Sequence, residues 1–327
     1  MFWVLCSVLA AEHRTENTEH RTETKNIEQK HGGKNMFQGS YVAIVTPFRN
    51  GKIDEAAYKN LIEMHAAAGT DGIVPAGTTG ESPTLTPEEN EQLVDMTVKF
   101  VKGRMKVMAG TGSNSTAEAI EYTQAAEKSG ADAALVVNPY YNKPTQKGLY
   151  EHFKAVAQSV KIPVIVYNIL GRTGVNVSTP VLARLAKEIP NIKGVKEASG
   201  DLAQMSEVIE QCGPDFDVLS GDDALTLPLM SIGGKGVISV VANFIPKDVK
   251  DMITAFNKGD MKTAQAMHHR MFPLVKAMFV ETNPIPVKAA CAILGLISPD
   301  IRLPMTQPDA ENLDKIKKAL KEYGLKV

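Results

Sequence analysis

Between residues 41 and 258, eight short β-rich runs alternate with amphipathic stretches, and this alternation restricts the fold more than anything else in the chain. The runs are residues 42–47, 72–76, 106–110, 133–138, 163–168, 192–197, 217–220 and 236–241. They are apolar without a period of two, as in Ala134-Leu135-Val136-Val137, the pattern of strands buried on both faces of a parallel sheet. Helical stretches such as 55–68, 87–101, 116–129 and 146–160 lie between them. Thr86 ahead of Pro87-Glu88-Glu89 supplies an N-cap, a proline at N1 and acid in the first turn, and Gly130 closes the stretch 116–129. Eight such units predict an α/β fold, a closed (β/α)8 TIM barrel rather than a doubly wound sheet. No GxGxxG pattern follows the first strand, which counts against a dinucleotide fold. After Lys258 the strands stop, and 261–280, 286–296 and 309–323 read as helices. The expected division is a catalytic barrel over 36–258 and a small C-terminal helical domain over 259–327.

Residues 1–35 do not fit this scheme. The apolar run from Met1 to Ala11 is broken only by Ser7, is too short to span a bilayer and lacks the basic start of a secretory signal. Ala10-Ala11 leaves signal cleavage as the alternative. Glu12-His13-Arg14-Thr15-Glu16 then recurs as Glu19-His20-Arg21-Thr22-Glu23, polar all round and without a coiled-coil seam. We read residues 1–35 as a disordered or non-native N-terminal extension.

Composition narrows the function. With 36 basic and 37 acidic residues the net charge is −1, which offers no footprint for nucleic acid or an anionic membrane. The three cysteines, Cys6, Cys212 and Cys291, are dispersed and odd in number, so no disulfide framework or CxxC metal spacing can be built. Cys212 and Cys291 read as small core hydrophobes. Three of the seven histidines fall in the extension, and His268 and His269 are neighbours on different helix faces. A cytoplasmic protein with no metal and no cofactor is expected.

In a barrel of this kind, reactive groups come from the C-terminal ends of the strands. The most informative is Lys196, in an apolar strand with Val195 before it and Ala198 just after Glu197, near the end of the sixth run. Burial in general disfavours a charged amine, and a neutral amine attacks a carbonyl carbon to form a Schiff base. The bland alternative is a lysine snorkelling from a strand end or paired with Glu197, although strand alternation sends Glu197 to the opposite face. Thr78 and Thr79, between Gly77 and Gly80, offer approachable N–H groups and hydroxyls suited to a small carboxylate; the alternative is a plain βα turn. Tyr141 and Tyr167 carry phenols able to pass protons, or simply pack. Arg172, between glycines, is a fixed cation for a carboxylate or the partner in a surface salt bridge. Together these groups describe carbon–carbon bond chemistry on a keto acid.

The motifs Gly77-Thr78-Thr79-Gly80-Glu81-Ser82, Pro139-Tyr140-Tyr141-Asn142-Lys143-Pro144, Tyr167-Asn168, Gly171-Arg172-Thr173-Gly174, Val195-Lys196-Glu197-Ala198-Ser199-Gly200, Ser220-Gly221-Asp222-Asp223, Gly236-Val237-Ile238-Ser239 and Asn283-Pro284-Ile285-Pro286-Val287-Lys288 occur in one order. From Met36 to Val327 the chain closely resembles the 4-hydroxy-tetrahydrodipicolinate synthase (dihydrodipicolinate synthase) family of pyruvate-dependent class I aldolases. The resemblance implies a lyase of diaminopimelate and lysine biosynthesis that condenses pyruvate with L-aspartate 4-semialdehyde. It implies an imine between Lys196 and pyruvate, whose carboxylate rests on Thr78-Thr79. Thr78, Tyr141 and Tyr167 match a proton relay, with Tyr141 given to a neighbouring subunit of a homotetramer, a dimer of dimers. Arg172 would grip the semialdehyde carboxylate, and Gly221 and Ile238 would shape the pocket. Ser82, Leu85, Asn114, Glu118 and Tyr140 match a lysine-effector site.

Two departures stand out. Leu170 replaces the family's usual proline, which would fix φ there, so a looser Arg172 loop is expected. Pro87 and Asn90 stand where lysine-sensitive bacterial enzymes often have histidines, and the residues leave inhibition by lysine open. The competing readings are a related lyase acting on a sugar-derived keto acid and a non-catalytic pyruvate- or amino-acid-binding barrel.

Overall fold

In the computed structural model, which describes residues 36–327, eight parallel strands close on themselves. They are β1 (Gly39–Ala43), β2 (Gly72–Val74), β3 (Lys106–Gly110), β4 (Ala133–Val137), β5 (Val164–Asn168), β6 (Ile192–Glu197), β7 (Asp217–Ser220) and β8 (Gly236–Ser239). Neighbours in sequence are neighbours in the sheet, and Tyr41 of β1 closes the ring, opposite Ile238 of β8 and Gly72 of β2. The TIM-barrel expectation holds. The expectations for residues 1–35 lie outside the described residues.

Several strands differ from the apolar runs, β2 stopping at Val74 and β4 and β5 each shorter by one residue, and hydrogen bonds explain the differences at β1 and β8. The run 42–47 overlaps only the end of β1, which starts at Gly39 because Gly39 N donates to Lys235 O and Ser40 N to the Asp71 carboxylate. Val45 has left the sheet, its N–H turned to Asn243 Oδ1. The run 236–241 stops as a strand at Ser239, since the Val240 and Val241 N–H groups turn to the Asp223 carboxylate and 241–243 form a 3-10 turn. A two-stranded hairpin, Phe48–Arg49 against Lys52–Ile53, was not anticipated.

The helices around the barrel are α1 (Glu55–Ala68), α2 (Pro87–Val101), α3 (Thr116–Ser129), α4 (Gln146–Gln158), α5 (Thr179–Glu188), α6 (Leu202–Cys212), α7 (Thr226–Ser231) and α8 (Pro246–Asn257). Thr86 and Glu89 form a reciprocal capping box on α2, and Gly130 ends α3 at φ 86°, where a side chain would be strained. The chain finishes with α9 (Met261–Ala277), α10 (Ile285–Ile293) and α11 (Ala310–Tyr323).

Inside the barrel, Phe37, Tyr41, Met108, Leu135, Ile165, Leu219 and Ile238 fill the axis, with Tyr167 among them. At the end opposite the reactive loops, just before β1, Phe37 is buried in this cluster and its N–H donates to Asp217 Oδ2 at 2.8 Å. Outside, Leu274, Val287 and Leu320 of the last three helices share one core with Val42, Leu61 and Leu93. Complete burial of a leucine such as Leu320 stabilises by about 1.5–3 kcal/mol, so these helices are anchored to the barrel wall. Cys291 lies in that core, and burial pushes its thiol, like that of Cys212, up to about 12. Among the described residues no helix is long and apolar enough to cross a membrane.

Candidate active site

The register of β5 against β6 puts Tyr167 opposite Lys196 and Asn168 opposite Glu197. Because side chains alternate, the first pair faces the barrel axis and the second faces outward. Lys196 is 6% exposed, and its Nζ lies 4.1 Å from the centroid of the Tyr167 ring. Glu197 does not pair with it: the carboxylate accepts from Asn168 Nδ2 at 3.1 and 3.2 Å and from Ser199 N at 2.8 Å. Gly221 lies against the lysine. A Cβ there would stand 3.1 Å from Lys196 Cε and 2.7 Å from Ala198 Cβ, so only glycine fits. Ile238 belongs to the same inner cluster as Tyr167.

The loop after β2 is wound tightly. Gly80 N and Ser82 N donate to Gly77 O, Glu81 N donates to Thr78 O, and Thr46 Oγ1 donates to Gly80 O at 2.7 Å. This leaves Thr79 buried and Thr78 half-buried at the turn. Two groups from the C-terminal helices brace it. Asn283 Nδ2 donates to Thr79 Oγ1 at 3.0 Å, and Glu81, at φ 59°, forms a buried ion pair with Lys288 of α10. Lys288 Nζ also donates to Thr46 O at 2.9 Å and lies 4.5 Å from the Phe48 ring centroid. Burial pulls the Lys288 ammonium below the ordinary lysine range, and the Glu81 charge opposes that pull.

Arg172 sits in a short helical turn, Leu170–Thr173, and Leu170 is its first residue. The Arg172 and Thr173 N–H groups bond Ile169 O, Gly174 N bonds Leu170 O, and Thr173 Oγ1 donates to Ile169 O at 2.8 Å. These bonds hold the turn without a proline at Leu170. The guanidinium donates to Asn283 O at 2.9 Å, so Asn283 bridges Arg172 and Thr79.

An open cavity of about 360 Å³ collects Thr78, Arg172, Ser82, Leu85, Glu118 and Tyr140. Lys196 and Tyr167 are buried outside that lining, and Asn114 is also outside it, its carbonyl taken by Asn142 Nδ2 at 2.9 Å. Tyr141 stands apart from all of them, 89% exposed on a left-handed backbone of φ 69°. Asn90 lines the cavity and Pro87 does not. Sequence reasoning overlooked four groups here. Asn283, Glu81 and Lys288 lay inside quoted motifs, where an Asn-Pro step and a lysine in an apolar helix were the available signals. Tyr122 also lines the cavity, and burial followed by the Glu118 charge raises its phenol. Among the described residues no group of three or more His, Cys, Asp or Glu side chains is placed to hold a metal ion.

A closed barrel whose polar groups gather beyond the C-terminal ends of its strands has the architecture of a (β/α)8-barrel enzyme. The model of the dihydrodipicolinate synthetase family matches residues 36–323, and the chain belongs to that family. It is 57% identical to the 4-hydroxy-tetrahydrodipicolinate synthase of Syntrophus aciditrophicus, over 89% of this chain and 99% of that one. The crystal structure of dihydrodipicolinate synthase from Aquifex aeolicus is 52% identical, with a TM-score of 0.87 over 88% of this chain and 99% of its own. The chloride-inhibited synthase of Acinetobacter baumannii, solved complexed with pyruvate, is 45% identical, with a TM-score of 0.86 over 88% and 99% of the two chains.

Proposed function

We propose that the protein is a 4-hydroxy-tetrahydrodipicolinate synthase, condensing pyruvate with L-aspartate 4-semialdehyde. The observation that carries this reading is the buried Lys196 amine against the Tyr167 ring, in a chain 57% identical to a synthase of that name. The Lys196 amine attacks the pyruvate carbonyl and water leaves, giving an imine. Loss of a methyl proton makes the enamine, whose carbon attacks the aldehyde carbon of the semialdehyde while the aldehyde oxygen takes up a proton. The amine of the semialdehyde portion then displaces Lys196 from the imine carbon, which closes the ring and frees the lysine.

Tyr167 is the acid and base nearest the imine, and Thr78 with a partner subunit's phenol extends the proton path. The exposed Tyr141 supports its donation across a subunit boundary within a homotetramer, a dimer of dimers. Thr79 and the turn around it receive the pyruvate carboxylate, and Arg172 receives that of the semialdehyde. Gly221 and Ile238 keep the space around the lysine in shape. Ser82, Leu85, Glu118 and Tyr140 line one cavity, which supports a lysine-effector site there, with Asn114 at its margin. Cytoplasmic residence belongs to the same reading, supported by cysteines too dispersed for a disulfide framework.

The test is pyruvate consumption with L-aspartate 4-semialdehyde as acceptor, set beside N-acetylmannosamine. Turnover with the semialdehyde alone is expected; turnover with the sugar alone, or with neither, refutes the substrate assignment. Borohydride reduction with pyruvate should leave a covalent adduct on Lys196, and a binding-only barrel would show none. Sedimentation of the full chain should give a tetramer.

A further inference from the structure

We infer that Asn138, Asn168 and Glu197 form a polar belt on the outer face of the barrel that positions the Arg172 loop, making them positioning residues for the second substrate. This rests on the proposed role of Arg172 as the semialdehyde carboxylate site.

The three side chains occupy adjacent strand ends. Val137 pairs with Tyr167, so Asn138 follows at the level of Asn168, and Asn168 pairs with Glu197. All three are fully buried. They stand behind Tyr167 and Lys196, which face the axis from the same strand ends. A carboxylate buried among neutral donors is costly to keep, so its retention calls for something that depends on its direction of hydrogen bonding.

That dependent feature is the segment 169–177. Asn138 Oδ1 accepts from Ile169 N at 3.3 Å, and its Nδ2 donates to Thr173 Oγ1 at 3.0 Å and Val175 O at 2.6 Å. Asn168 Oδ1 accepts from Val177 N at 3.0 Å, while its Nδ2 donates to Asn176 Oδ1 at 2.8 Å and to both Glu197 oxygens. The segment is therefore gripped before and after Arg172. Glu197 decides which way the Asn168 amide faces, because an acceptor-only group takes the NH2 and leaves the carbonyl oxygen for Val177. Reversing that amide would set NH2 against the Val177 N–H. The side chains of the belt make no hydrogen bond to Lys196 Nζ or to the Thr78-Thr79 turn, so the belt acts on the second substrate's site and not on the lysine.

Two isosteric variants on different strands, Glu197→Gln and Asn138→Asp, change donors and acceptors without changing shape. Each is compared with Arg172→Ala in the full chain, reading kcat, KM for L-aspartate 4-semialdehyde, and the pyruvate concentration that half-saturates borohydride trapping at Lys196. The expected result is a semialdehyde KM raised at least about tenfold, with pyruvate half-saturation held within about twofold. Intact trapping also shows that the variant is folded. An unchanged semialdehyde KM in both variants, or a parallel loss of pyruvate trapping, overturns the inference. If Arg172→Ala raises that KM and the belt variants do not, the belt alone is refuted. If Arg172→Ala leaves it unchanged, the role of Arg172 fails and the belt inference falls with it.

Discussion

Lys196 Nζ lies over the ring of Tyr167, 4.1 Å from its centroid, and the two residues are direct partners in the β5–β6 register. The phenol is thus carried by the strand beside the amine, so their relative placement is set by sheet hydrogen bonds rather than by a loop. On the proposed mechanism, removing only the phenolic oxygen should separate imine formation from the proton transfers that follow it. Tyr167→Phe should still yield the borohydride-trapped pyruvate adduct while kcat falls about 10²–10⁴-fold, the usual range for a lost general acid–base group. Mass spectrometry of the trapped protein beside steady-state turnover checks this, and equal loss of adduct and turnover would show that Tyr167 is needed for the imine itself.

The Glu81–Lys288 ion pair joins α10 to the Thr78-Thr79 turn, with both side chains almost completely buried. Lys288→Met leaves the Glu81 carboxylate with only its Arg302 N–H partner, at 3.0 Å. Breaking a buried pair from one side costs about 3–5 kcal/mol, whereas replacing both partners costs much less. Denaturant unfolding should therefore show a large loss for Lys288→Met and a smaller one for Lys288→Met with Glu81→Gln. Equal losses would mean that the pair contributes through packing alone.

Asp223 is buried at the start of the 3-10 turn that follows β7, where desolvation, opposed by Ser239 Oγ and the Val240 N–H, pushes its carboxyl up to about 6. A carboxyl raised in the folded state holds its proton there after the unfolded chain has lost it. Its contribution to stability is complete below the unfolded value of 3.8 and declines as the pH rises to about 6. Asp223→Asn removes that titration. Urea unfolding from pH 4 to pH 7 should show the parent losing stability relative to Asp223→Asn as the pH rises towards about 6, then running parallel to it. A constant difference across the range would contradict this.

A chain beginning at Met36 keeps the Met36 and Phe37 N–H bonds to Asp217 Oδ2, at 3.0 and 2.8 Å. Removal of residues 1–35 should leave the melting temperature and the turnover unchanged. A clear drop in either, by differential scanning calorimetry or pyruvate consumption, would show that the extension packs on the barrel.

Much of this molecule was legible from its residues because the relevant forces are local. The limits of α1, α2 and α3 and of β3, β6 and β7 follow from capping residues and apolar runs, and they agree with the structure. Strand alternation alone sent Lys196 and Glu197 to opposite faces, and a count of eight units required closure. Where the run 236–241 overshot β8, the cause was Asp223, a residue in the loop after β7 that captures the Val240 N–H.

What tertiary structure decided are pairings that no periodicity encodes. Glu81 meets Lys288 across 207 positions, and Thr79 meets Asn283 across 204, because closing the barrel brings the C-terminal helices back over the first loops. Arg172 reaches the same Asn283 through its carbonyl. Sequence determined which residue types stand at the strand ends; the closed barrel determined which of them touch, since a buried polar group takes whatever partner the packing leaves within hydrogen-bond reach.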